Sequence, residues 1–132
     1  MGTIDSALYA RLSGHTGLRA LVFARIYPPP APQSSAYPLV TYQEIDRVSP
    51  HVMRGTAGVT HIRYQIDSWA ETVAGAKAVA AQVRAALDNY AGTSDGIVIL
   101  NTFLDMGQSS PYDDAEGVHR YIQDFIMEYR TA

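Results

Sequence analysis

The chain changes its hydrophobic period once, near its middle, and that change constrains the fold more than anything else in the sequence. Over residues 59–69, Ile62, Tyr64 and Ile66 alternate with His61, Arg63, Gln65 and Asp67. This is the two-residue repeat of a strand with one covered face. Over residues 71–90, Val73, Ala76, Ala80, Val83, Leu87 and Tyr90 recur at spacings of three and four, which sets one apolar stripe along a helix, with Lys77, Arg84 and Asp88 away from it. A strand with one apolar row, followed at once by a helix with one apolar stripe, buries both by laying helix on sheet. Trp69 stands at the junction and is expected to wedge the two together, largely buried. Thr72 can cap the helix, and Ser68 with Glu71 offers a capping box as an alternative.

The flanks supply the remaining layers. A shorter N-terminal helix is expected over residues 4–12, capped by Thr3, with Ile4, Leu8 and Leu12 on one stripe and Ser13-Gly14 as its stop. Residues 18–23 add a helical turn or two, and residues 25–27 read as extended. Pro28-Pro29-Pro30-Ala31-Pro32 can be neither helix nor central strand, and predicts a stiff connector. Strands are expected over residues 39–46, 97–104 and 118–130. In the last, Tyr121, Phe125, Met127 and Tyr129 share one face, and Ile122 and Ile126 the other. Residues 92–96 turn the chain. The predicted class is α+β: a mainly antiparallel sheet of four to five strands, one long helix packed across it, and a shorter N-terminal helix, all in a single domain over residues 1–132.

Composition excludes several functions. With no cysteine, there are no disulfides, thiolate metal sites or thiol nucleophiles. A net charge of −3 is not the electrostatic footprint of a nucleic-acid reader. No apolar run approaches the ~20 residues of a membrane span, and residues 1–6 lack the basic and apolar pattern of a signal peptide. The expectation is a soluble protein made in the cytoplasm. Lys77 is the only lysine among 10 basic residues, and there are 9 tyrosines. Arginine and tyrosine are the residues that build ordered protein–protein contacts.

No phosphate-binding, dinucleotide-binding or nucleophile-elbow motif occurs. Gly14-His15-Thr16-Gly17 follows a helix rather than a strand, and reads as a helix-terminating turn. The four histidines, His15, His51, His61 and His119, show none of the close spacings that build metal sites. His61 and His119 fall on strands and could meet across the sheet. A small ligand-binding or enzymatic domain with a His61/His119/tyrosine pocket is therefore the rival reading. Asp113, Asp114 and Glu116 lie in a Ser/Pro/Gly loop, where solvation outweighs acid–base chemistry. The expectation is no catalytic residue, no metal and no cofactor.

Two loops have opposite character. Residues 46–58 carry Arg47, Arg54 and His51 against Asp46, whereas residues 105–117 carry Asp105, Asp113, Asp114 and Glu116 with no basic residue. These six charged residues, Arg47, Arg54, Asp105, Asp113, Asp114 and Glu116, are candidate contacts between subunits.

The opening Ala7-Leu8-Tyr9-Ala10-Arg11-Leu12, with Gly17-Leu18-Arg19-Ala20-Leu21-Val22 and Arg25-Ile26-Tyr27-Pro28, resembles the tail completion (tail terminator) proteins of long-tailed bacteriophages. So do Tyr37-Pro38-Leu39-Val40-Thr41-Tyr42, the stretch Arg63-Tyr64-Gln65-Ile66-Asp67-Ser68-Trp69-Ala70 leading into an alanine-rich helix with Val83-Arg84-Ala85-Ala86-Leu87, and the closing Val118-His119-Arg120-Tyr121-Ile122-Gln123-Asp124-Phe125. The likeness spans about residues 5–130 as a diffuse pattern. It implies a structural virion protein of phages, prophages or gene transfer agents, assembled in the host cytoplasm. It also implies a homo-hexameric ring at the head-proximal end of the tail tube, in the neck. The partners it implies are the tail tube protein and a head–tail connector or stopper, with DNA passing through the ring and no membrane involved.

Overall fold

The computed structural model describes residues 2–32, 36–48, 58–109 and 117–131. In chain order the elements are α1 (Ile4–Gly14), α2 (Thr16–Val22), β1 (Ile26–Tyr27), β2 (Leu39–Val48), β3 (Thr60–Ala70), α3 (Val73–Leu87), β4 (Gly92–Ser94), β5 (Ile97–Ser109) and β6 (His119–Thr131). The strands form one six-stranded sheet in the order β1-β2-β3-β6-β5-β4. Every pairing is antiparallel except β1 with β2. The α+β class and the helix-on-sheet arrangement hold. The expected four to five strands become six, because β4 has only three residues and no pattern to reveal it. The helices among the described residues number three, since residues 16–22 form a full α2.

One face of the sheet carries the core. Ile62, Tyr64 and Ile66 of β3 and Phe125, Met127 and Tyr129 of β6 point into it. They meet Leu8 and Leu12 of α1, Leu18 and Val22 of α2, and Val79, Val83 and Leu87 of α3. The α3 stripe includes Val79 and Ala86, while Val73 stays exposed. Thr72 is the N-cap, its hydroxyl accepting from the Gly75 amide at 2.9 Å, so the Ser68/Glu71 box is not used. Thr3 caps α1 as expected, in a reciprocal box with Ser6. The β4–β5 hairpin turns on Asp95-Gly96, whose φ angles of 47° and 85° are the left-handed pair that a tight primed turn requires.

Polar ties lock the helices to the sheet. The Arg11 guanidinium donates to the Ala86 carbonyl at 2.7 Å and stacks on the Tyr90 ring, which joins α1 to the end of α3. Gln123 of β6 donates to the Ala80 carbonyl at 3.2 Å. Tyr64, fully buried, donates its hydroxyl to the Asp5 carboxylate at the start of α1. Burial first, and then that hydrogen bond, push the Tyr64 phenol far above its ordinary pKa.

Both long outer strands run further than their sequence pattern suggests. β2 continues through Val48 and β5 through Ser109. Register breaks at Ile45, at Leu100 and at Asp105 let each strand absorb an extra residue. Asp46, Arg47 and Asp105 therefore lie on strands rather than in loops.

Candidate functional site

The face of the sheet away from the helices is polar and bears a charged row. Arg63 of β3 donates to Asp124 of β6 at 3.1 Å and to Asp105 of β5 at 2.7 Å. One guanidinium thus bridges three strands, and both bonds raise its pKa, that to Asp105 most. On the opposite, helix-side face, at the sheet edge beyond the core, Arg47 makes a bidentate pair with Glu44 at 3.0 and 2.9 Å. The register break at Ile45 is what permits it. Glu44 lies opposite Tyr64 and Arg47 opposite Ile62, so both point to the same face despite an odd spacing.

Further along the face that carries Arg63 is a recess of about 320 Å³. Pro29, Pro30 and Tyr37 of the proline-rich connector form one wall, and Thr41, Asp67 and Trp69 the floor. Trp69 donates its indole N–H to the Thr41 hydroxyl at 3.0 Å, with the Arg120 guanidinium 5.1 Å above the ring. Asp67 lies beneath, its side chain 7% exposed, with Arg120 at 3.5 Å and Gln65 donating at 3.1 Å. Burial raises the Asp67 carboxyl, and the Gln65 hydrogen bond and the Arg120 charge only partly oppose the shift. Trp69 is thus not the wedge between sheet and helix. It belongs to the odd-numbered row of β3, which faces away from α3, and it is half-buried. Ala70, on the even row, occupies the helix side of that corner.

Of the six candidate contacts, Arg54, Asp113, Asp114 and Glu116 lie outside the described residues. Arg47 and Asp105 are described, and within one chain they do not meet: Arg47 lies level with Thr102 by way of Ile62 and Met127, three strands away. His61 and His119 do not meet either. His61 pairs with Glu128, Nδ1 to Oε2 at 3.3 Å, whereas His119 lies opposite Ala70 at the other end of the ladder. At ~3.3 Å per residue they stand about 30 Å apart. The register thereby dissolves the pocket that the rival reading requires. Among the described residues, no group of three or more His, Asp or Glu side chains is placed to hold a metal ion. No helix among them is long and apolar enough to cross a membrane.

The family model described as "Tail completion protein gp17" matches residues 6–129. The chain belongs to the tail completion family. As a tail completion protein it is a structural component of a phage-type tail. No curated protein matches its sequence significantly. Among solved structures it is similar to a chain from the virion of a native gene transfer agent particle. The TM-score is 0.76 at 23% identity, over 98% of this chain and 96% of that one. At that identity the likeness shows a shared fold, and it extends across the whole of this tail completion domain.

Sequence reasoning missed the recess and the length of the two outer strands. The signal for the recess was present: a tryptophan and an aspartate on the polar row of a one-sided strand.

Proposed function

We propose that this chain forms a homo-hexameric ring at the head-proximal end of a tail tube. There it stops tube growth and joins the tail to a head connector or stopper, with DNA passing through the ring. In this reading it catalyses nothing and needs no cofactor. The observation that carries the proposal is the match to the tail completion family over nearly the whole chain. A helix-covered face that holds the fold, with a polar face left bare, also suits an assembly subunit. A ring joins two different patches of each subunit around its axis. The basic stretch with Arg47 and Arg54 and the acidic stretch with Asp105, Asp113, Asp114 and Glu116 supply patches of opposite sign, which favour correct encounter and register more than affinity.

Tails assembled with and without the chain test this. With it, tubes should be uniform in length, carry one terminal ring and accept heads. Without it, tubes should overgrow and stay headless. Equal length and equal joining in its absence would overturn the proposal. A charge swap tests the patches: Arg47→Glu with Arg54→Glu should block ring formation, and adding Asp113→Arg with Asp114→Arg should restore it.

A further inference from the structure

We infer that neighbouring copies join by direct strand pairing, the outer edge of β2 on one copy against the outer edge of β5 on the next. The inference rests on the ring proposed above and specifies how its interface is built.

The sheet is left open at both sides. On one side β1 covers β2 only at Val40 and Thr41, so among the described residues no strand pairs with that edge from Tyr42 to Val48. On the other side β4 covers β5 only from Ile97 to Ile99. The turn after α3 covers the next stretch, where the Asn89 amide donates to the Thr102 carbonyl at 2.7 Å and the Asp88 carboxylate accepts from the Leu104 amide at 3.1 Å. From Asp105 to Ser109 no strand lies outside β5 among the described residues. An open strand edge presents unpaired amides and carbonyls, a template for another strand.

Apolar exposure is concentrated on the same strands. Ile45, Val48, Leu100 and Met106 are four of the seven large hydrophobics most exposed in the described structure. Three of them, Ile45, Val48 and Met106, lie within the two open stretches. Natural edges that are meant to stay single are blunted with charge or proline. Neither open stretch contains a proline or a lysine, and the charges they do carry are bonded within the chain: Glu44 and Asp46 to Arg47, and Asp105 to Arg63.

Direction and stagger both suit a ring. β2 runs antiparallel to β3, β3 to β6 and β6 to β5, so β2 and β5 run in opposite senses. Rotation about a ring axis keeps each strand's sense, so β5 of one copy meets β2 of the next as an antiparallel pair. By register, Val40 is level with Ser109 and Val48 with Asn101. The open part of β5 therefore sits about four residues along the strand axis from the far half of the open part of β2. At ~3.3 Å per residue and ~4.8 Å per strand, that stagger across the four strands β2, β3, β6 and β5 equals a tilt of about 35°. Closed sheets tilt by about 35–45°. This register sets Val48 opposite the next copy's Met106, both on the face away from the helices, and Arg47 opposite its Gly107.

The chain lacks cysteine, so engineered cysteines report without background. Val48→Cys is combined with Met106→Cys, in the full-length protein assembled on tail tubes. Within one chain these positions are three strands apart, about 14 Å or more, too far for a disulfide. Mild oxidation should give a covalent ladder extending past dimer in the double variant, while each single variant stops at dimer or below. Assembled rings that yield no ladder would overturn the strand pairing and leave the ring standing. Single variants that cross-link as well as the double would overturn it in favour of like-edge pairing. No ring at the tube end would overturn the ring and the pairing together. Val48→Lys with Met106→Lys provides a second arm. It should leave the monomer's melting temperature unchanged and raise the concentration needed for assembly by at least about tenfold. Unchanged assembly would overturn the pairing.

Discussion

The two faces of this one sheet differ in what they touch, and the difference separates stability from assembly. On the helix side, Ile62, Tyr64, Ile66, Phe125 and Met127 are fully buried against three helices. On the other side the same strands present Arg63, Asp124 and Asp105 in a row, with Trp69 over a buried Asp67. Successive residues of a strand point to opposite faces, so β3 and β6 can meet both demands without compromise. Substitutions on the helix side should damage the fold, and those on the bare side should damage assembly while the monomer stays folded.

The largest effect is expected at Phe125, which has no exposed surface. Phe125→Ala should lower the free energy of unfolding by about 3–5 kcal/mol, read by urea or thermal denaturation. A loss below about 1 kcal/mol would mean the helix-side core is not the seat of stability. Trp69→Ala sharpens the comparison, because a large aromatic on the bare face should cost less than an equally large one on the covered face. Loss of its half-buried ring and its hydrogen bond to Thr41 should amount to about 2 kcal/mol. A cost equal to that of Phe125→Ala would erase the distinction between faces.

Smaller again is Arg63→Ala. Its two ion pairs are partly exposed, so the monomer should lose under ~1 kcal/mol, and less in high salt. A loss of several kcal/mol, insensitive to salt, would show a buried network instead. The smallest effect, and the one of opposite sign, is expected at Asp67. Its carboxyl pKa is raised by burial, so folding disfavours the ionised form. That penalty is absent below the ordinary carboxylate pKa of about 3.9 and appears as pH rises through the raised folded value. Asp67→Asn should therefore match or exceed the parent's stability at pH 7, with the advantage shrinking toward pH 4. Destabilisation that deepens from pH 4 to pH 7 would show that the Arg120 pair outweighs burial.

Much of this architecture is legible in the sequence, for physical reasons that also explain the gaps. The β3 row Ile62, Tyr64, Ile66 is uninterrupted, so its face and its helix partner follow directly. The α3 stripe is nearly right, with Val79 and Ala86 inside and Val73 outside, because the helix begins at Thr72 rather than at Glu71. The outer strands are harder to read. Extra residues at Ile45, Leu100 and Asp105 break the two-residue period, so the ends of β2 and β5 look like loop. Size alone points Trp69 to the core, whereas its place on the odd row with Asp67 sets it on the bare face. Which residues the register brings together, Arg63 with Asp105 and Asp124, or His61 with Glu128 rather than His119, depends on strand order, which no local pattern encodes.

The central claim is that this chain closes the tail as a ring, and direct imaging of the tail end tests it. Cryo-electron microscopy of tails assembled with the protein should show one six-fold ring at the head-proximal end, one copy per repeat. A single copy at that end, copies scattered along the tube, or a ring at the opposite end would contradict the account.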